Sequence, residues 1–540
     1  MLFRRWADWS LIGIAFLGLA LNVMPWALVA TAPEFDLGSL LHDDGFYYLV
    51  IAENILDGRG ATFDGINPTS GFQPLYQGVT IVLVAASRAT GISVFRWIFF
   101  ANLLLVGLAM IPLIRLLTDG KGRSALTAGA VFAAIALPLN FALVFKRLGT
   151  GMEMALALLL LSLWARAMVG LRTSSQRPGE HIGNGLLLGA LTLTRIDYAL
   201  FAVIFAGYAI ALGGRRSIRQ LALVGLGYLI LVGAYAGMAS IYLESIIPVS
   251  FLAKQYYVSV QVAGMTLLDR IRLTASNLAL IWLYPLGYSV FGYFWRWGNA
   301  GLGVVAAAFV AWAGIAIACL RDRLPRLDWR APWLWLMGSV ALHSAAVAWS
   351  GVGFVGPGYF WYYTPELVAT VLGLGWLFVQ FFELPRSIRW VSVVPILLWV
   401  GSTWLYKLDE DIATYLPYRA AIEQVRDLTP PDTVLGSWDA GYNAYWLRPR
   451  TVINLDGMVN SRRFLDTVIK ANRHAEYIQE ARIAFIFNMV KNTPDALTRV
   501  RENFFHDPSI PRSCYDIDLE APFERQNLVI FLLKYTCLRP

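Results

Sequence analysis

The sequence predicts a polytopic α-helical membrane protein of about 11 to 13 transmembrane helices with a C-terminal soluble α/β domain. Three observations predict it. Hydrophobic residues make up 57% of the 540 and charged residues 15%, and the mean hydropathy is +0.55, far more apolar than a soluble domain. Apolar runs recur at the length that crosses a bilayer. After Tyr406 the pattern changes to short strands and mixed polar helices. These features divide the chain into a membrane domain, 1–406, and an α/β domain, 407–540.

The chain opens with Arg4 and Arg5 before an apolar run over 11–30, too long for a signal core and followed by no clean cleavage site. This predicts an uncleaved first helix with a cytoplasmic N-terminus. Further spans are expected near 95–117, 124–145, 151–170, 183–197, 199–212, 218–243, 300–320, 332–350, 361–382 and 389–406, with 74–92 and 276–295 ambiguous. Lys121/Arg123, Arg172/Arg177, Arg215/Arg216/Arg219, Arg321/Arg323/Arg326/Arg330 and Arg386/Arg389 cluster as cytoplasmic anchors should, which puts the C-terminus outside. The net charge of +8 is thus topological, and no basic tract suggests nucleic acid. The 20 Trp and 24 Tyr suit interfacial belts.

The first outer loop, 31–74, carries Asp43-Asp44-Gly45-Phe46 just beyond the first span. Ionisable groups there are costly without work or partners. Phe46 to Leu56 places Tyr47, Ile51 and Ile55 at helical spacing, a segment that can lie along the membrane surface, ended by Asp57-Gly58. Asp44 has two readings, helix N-cap or chemical partner. Asp43, one residue before that cap, has no capping duty of its own, which marks it for chemistry.

The same topology gathers other ionisable residues on the outer side: Lys146 and Arg147, Glu153, Arg195 with Asp197, and Lys254. Arg195 and Asp197 interrupt an apolar run. At i,i+2 they do not face each other on a helix, which places them at a helix end or turn. Glu153 is either a dipole partner of its helix or a second acidic group in a cavity. One carboxylate base, with cations that hold a phosphate as charge develops on it, suits transfer of a sugar from a polyprenyl phosphate. Lys146, Arg147, Arg195 and Lys254 are the candidate phosphate ligands, and each can also be read as an interfacial anchor. Tyr359, Trp361, Tyr362, Tyr363 and Glu366 follow in a later outer segment as a candidate site wall or aromatic belt.

In the C-terminal part, 433–437, 451–455, 483–488, 514–519 and 528–533 read as strands, and 417–428, 461–481 and 494–504 as helical pieces. Ser437-Trp438-Asp439-Ala440-Gly441-Tyr442 and Asn454-Leu455-Asp456-Gly457-Met458-Val459-Asn460 read as strand-to-helix turns or a glycan-binding surface. Cys319 reads as core. Cys514 and Cys537 form a candidate disulfide in an oxidising compartment.

Asp43-Asp44-Gly45-Phe46, the Gly60 to Pro74 return, Gly149-Thr-Gly-Met-Glu153, Thr194-Arg195-Ile-Asp197 and Pro248-Val-Ser-Phe-Leu-Ala-Lys254 together resemble the GT-C glycosyltransferases. These are integral membrane enzymes that use polyprenyl-phosphate-linked sugars. The Asp-Asp-Gly element is similar to that of arabinofuranosyl- and mannosyl-type members. The resemblance implies an inverting transferase at the outer face of a bacterial inner membrane, acting on a glycan, lipid or protein acceptor. It implies Asp43 as base and Asp44 as helper or metal contact, with a divalent cation, magnesium or manganese, left open at the pair. The competing class is a multi-span transporter or flippase, which would place ionisable residues at mid-membrane on broken helices and show repeated halves. A third is a non-catalytic envelope scaffold.

Overall fold

A computed structural model of the chain describes residues 30–118, 151–172, 177–213, 217–287, 314, 318, 330–350, 360–382, 416–491, 514–523 and 528–537. The expected spans at 11–30, 124–145, 300–320 and 389–406, most of the basic clusters named above, Cys319 and the piece at 494–504 lie wholly or mainly outside them, as does the boundary near 406.

The apolar runs within the described residues form helices: α1 (Asp43–Leu56), α2 (Pro74–Thr90), α3 (Val94–Thr118), α4 (Met154–Gly170), α5 (Pro178–Thr194), α6 (Ala199–Gly213), α7 (Ser217–Tyr242), α8 (Val249–Val262), α9 (Leu267–Gly287), α10 (Pro332–Ser350) and α11 (Thr364–Phe382). Among the described residues, three stretches are long and apolar enough to cross a membrane: Val94–Leu117, Ile196–Gly213 and Ser217–Tyr242. Helix α12 (Leu416–Leu428) leads into β1 (Val434–Ser437), α13 (Gly441–Trp446), β2 (Thr451–Asn454), α14 (His474–Glu480), β3 (Phe485–Lys491), β4 (Tyr515–Phe523) and β5 (Leu528–Tyr535). All five predicted strands are present, in one sheet of order β2-β1-β3-β5-β4. β1 pairs in parallel with β2 and β3, while β5 is antiparallel to β3 and β4.

The chain divides into two compact units. One comprises Met1–Leu37, Ile98–Gly233 and Gln261–Asp409; the other comprises Gly38–Trp97, Ala234–Val260 and Glu410–Pro540. The second unit therefore joins the first loop to the sheet. Its core packs Val249 and Ala253 of α8 against Ile453, Leu455, Phe464, Ile483 and Leu533. Cys514 and Cys537 are disulfide-bonded there, with Cα atoms 5.0 Å apart.

Helix α1 departs from the expected surface helix. Phe46 through Ala52 are all buried, with Phe46, Leu49, Ile51 and Ala52 at 1% exposure or less. The reason is the company it keeps inside this unit. Phe46 packs edge-on against Phe95 and Tyr442, Tyr47 against Phe63, and Tyr48 against Tyr76. The turn-rich return after Gly60 is held by Asn54, whose amide donates to the carbonyls of Thr62 and Phe63. Its Thr69 hydroxyl donates to Asn460 O at 2.9 Å.

In the first unit, α5 and α7 cross at backbone contact. A Cβ on Gly185 would lie 2.0 Å from Val224 O, and one on Gly227 would lie 2.2 Å from Ile182 O. Small residues at such a crossing let two apolar helices approach closely.

Candidate active site

The acidic pair sits at the start of α1, but the cap is neither Asp. His42 is the N-cap, in extended conformation, and its Nδ1 accepts the Asp44 N–H at 3.3 Å. The reading of Asp44 as the helix cap is thus corrected: the cap and the helix start both lie two residues earlier, at His42 and Asp43. Both aspartates lie in its first turn, where negative charge favours the dipole.

Asp43 does have a capping duty, though not for its own helix. Helix α13 starts at Gly441, and Ala440 at its N-cap offers no side-chain acceptor. The Asp43 carboxylate takes that place, Oδ2 accepting the Gly441 N–H at 3.1 Å and Oδ1 the Tyr442 N–H at 2.7 Å. Orphan amides at a helix start need such acceptors. Burial first, then the charges of Asp439 and Asp44, push the Asp43 carboxyl up to about 7; the two amides pull the other way.

The neighbours of the pair come from the carboxyl ends of β1 and β2, where Ser437 and Asn454 are paired. Parallel sheets commonly place sites at such ends. Asp439 follows β1 and is exposed, while Asp456 follows β2 and is half-buried. Their turns are tied together: Asn454 Nδ2 donates to Trp438 O at 3.0 Å, and Asp456 Oδ1 accepts the Met458 N–H at 2.7 Å. Tyr47 lies in the field of all four carboxylates. Burial, then Asp43, Asp456, Asp44 and Asp439, hold its phenol well above the usual range, so it remains a hydroxyl donor. Lys254 is half-buried on α8, three residues before Tyr257, whose hydroxyl donates to Asp456 O at 2.8 Å.

Both Asp43 oxygens accept amide hydrogens, and among the described residues no three His, Cys, Asp or Glu side chains gather into a ligand set. No step is therefore derived through a metal.

In the first unit, Arg195 ends α5 with extended backbone angles, φ −155° and ψ 129°, ahead of a 3-10 turn, Ile196–Tyr198. The expected break at Arg195 and Asp197 is found, and the break itself lets the two meet. Arg195 Nε donates to Asp197 Oδ1 at 3.1 Å, and Nη1 donates to Glu153 Oε1 at 2.7 Å. Glu153 precedes α4, is 1% exposed and makes no side-chain cap for that helix. The Arg195 guanidinium lies 4.4 Å from the Tyr362 ring centroid. Tyr363 is buried in packing with Ile281, Val347 and Ala348. Lys146, Arg147 and Tyr359 lie outside the described residues.

Sequence reasoning missed His343, which bonds Asp197 Oδ2 through Nε2 at 3.0 Å and Glu366 Oε1 through Nδ1 at 3.2 Å. The signal was available: a titratable side chain inside the apolar run 332–350.

These side chains define a many-helix apolar protein with two polar centres, an acidic one at a helix start and a buried arginine–histidine–carboxylate network. No family model and no curated protein matches the chain. Among solved structures, the Archaeoglobus fulgidus oligosaccharyltransferase in complex with zinc and sulfate is similar at 14% identity and a TM-score of 0.48, over 88% of this chain and 67% of that one. ArnT from Cupriavidus metallidurans is similar in its apo state at 14% identity and a TM-score of 0.49, over 97% of this chain and 98% of that one. The same protein bound to undecaprenyl phosphate gives 14% and 0.49, over 95% and 97%. Likeness at this level transfers no residue role.

Proposed function

We propose that the chain is a membrane glycosyltransferase of the GT-C type. It moves a sugar from a polyprenyl-phosphate donor to an envelope glycan, lipid or protein acceptor at the outer face of a bacterial inner membrane. The N-terminus is then cytoplasmic and the C-terminal domain periplasmic. The observation that carries this reading is Asp43: a carboxyl raised to about 7, oriented by two amides and flanked by Asp44. A base with that affinity for a proton is half ionised at neutral pH and accepts a proton without being permanently protonated.

In this reading Asp43 takes the hydroxyl proton of the acceptor as its oxygen bonds the anomeric carbon. The bond from that carbon to the phosphate oxygen breaks with inversion, and the polyprenyl phosphate leaves with the electron pair. Asp44 orients the acceptor. Lys254, in the unit of Asp43, is a proposed phosphate ligand, and so, each within the other unit, are Arg195, Lys146 and Arg147. Arg195 spends three of its five N–H groups on Glu153 and Asp197, leaving one on each terminal nitrogen for an anion among the described residues.

A second reading, in which Asp44 takes the proton and Asp43 only anchors, draws on the 29% exposure of the Asp44 side chain and on the amide already held by each Asp43 oxygen. The test is transfer by purified protein given polyprenyl-phosphate sugars. Loss in Asp43→Asn, with residual turnover in Asp44→Asn, supports the first reading; the reverse order supports the second. Full turnover in both variants overturns the enzyme assignment.

A further inference from the structure

Arg195 is one link in a longer chain of buried ionisable groups within the first unit. From Glu153 it runs through Arg195 and Asp197 to His343 on α10, then to Glu366 at the start of α11, whose Oε1 also accepts the Ser344 hydroxyl at 2.6 Å. The side chains of Glu153, Arg195, His343 and Glu366 are 5% exposed or less. His343 cannot turn away. Its ring is stacked with Phe201 at 5.7 Å and met edge-on by Tyr198.

Both ring nitrogens of His343 face carboxylates, so both bonds need a proton along them. An imidazolium that donates twice supplies them. Three carboxylates then stand against two cations, and Glu366 Oε2 remains buried without a hydrogen-bond partner among the described residues. Stability alone does not explain such an arrangement, since buried ion networks commonly do no better than apolar packing and orphaned oxygens cost free energy. Removing one member, however, leaves its partner's charge uncompensated.

We propose that His343 is a positioning residue for Arg195: held between Asp197 and Glu366, it fixes the Asp197 carboxylate against the arginine, so that the remaining guanidinium N–H groups are presented to an anionic phosphate headgroup. This rests on the reading of Arg195 as a phosphate ligand. His343 itself touches no substrate in this scheme.

The test is a double-mutant cycle on affinity for a polyprenyl phosphate alone, measured on the purified full chain by calorimetry or native mass spectrometry. His343→Leu is expected to weaken binding about tenfold. In an Arg195→Lys background the same change is expected to add little, because the fork it positions is gone. His343→Gln, which keeps a donor toward Asp197, is expected to fall between and serves if His343→Leu does not fold. Equal losses in both backgrounds, or unchanged affinity with only a lowered melting temperature, overturn the proposal and leave His343 as packing. Absence of polyprenyl phosphate binding by the unmutated chain overturns the Arg195 reading and this inference with it.

Discussion

Asp43 and Tyr442 are joined by a 2.7 Å hydrogen bond from the Tyr442 amide to Asp43 Oδ1, across 399 residues of sequence. The carboxylate at the start of α1 thereby supplies the cap that α13 lacks. The proposed base and the turn after β1 are therefore one assembly, and a change in either should be felt in both stability and turnover.

The two aspartates should separate on that ground. Asp43→Ala removes the acceptor of two helix-start amides and, measured below about pH 5 where the raised carboxyl still stabilises the fold, is expected to cost about 1–2 kcal/mol of stability, along with activity at neutral pH. Asp44→Ala removes no amide acceptor and should change stability by about 0.5 kcal/mol or less. Chemical or thermal denaturation of both variants in the same detergent checks this. Equal stabilities would remove the capping role from Asp43.

The raised Asp43 carboxyl predicts two pH effects. Its folded value of about 7 lies above the ordinary 3.8, so the folded chain binds this proton more tightly than the unfolded one. The group's contribution to stability is then full below about pH 4 and is lost as pH rises toward 7. The melting temperature of the unmutated chain, relative to Asp43→Asn, should fall over that window. Turnover should move the opposite way, with kcat/KM rising through an apparent value near 7 as the base ionises. A profile flat from pH 5 to 8 would remove Asp43 from the base role.

Much of this was legible in the chain. Strand segments after Tyr406 announced themselves by β-branched, apolar runs, and all five formed. Arg195 and Asp197 betrayed a break because charges interrupt an apolar run. Three things were not legible, each because it depends on distant pairing. The burial of Phe46 to Ala52 comes from aromatic partners such as Tyr442. Asp43 looked free of capping duty because its helix is 398 residues away at Gly441. His343 was hidden because its partners Asp197 and Glu366 lie on other elements, and periodicity is blind to side chains that meet across helices.

The disulfide gives a further prediction. Cys514 and Cys537 close a loop with a sequence separation of 23, which in the chain-entropy account contributes about 3 kcal/mol. Cys514→Ser should therefore lower the stability of the second unit by about that amount, and reductant should do the same to the unmutated chain but not to the variant. A melting temperature insensitive to reductant in both would show the bond to be dispensable.

Gly441 offers the sharpest test of the tie between the base and α13. Replacing glycine with alanine in a helix ordinarily stabilises it by up to about 1 kcal/mol. At Gly78 in α2 nothing lies within 4 Å of the added methyl, so Gly78→Ala should follow that rule. At Gly441 the methyl would stand 2.1 Å from Asp43 O and 3.0 Å from Tyr47 Cδ1. A backbone oxygen cannot swing aside as a flexible side chain can, so α13 must move and its amides must leave the carboxylate. Gly441→Ala is expected to destabilise by about 1–3 kcal/mol, the range for overpacking, and to lower kcat with little change in donor affinity. It should also shift the apparent value near 7 upward, because the lost amides favoured the ionised base. If Gly441→Ala keeps the kcat and pH profile of the unmutated chain, the amides do not position Asp43, whatever happens to the melting temperature.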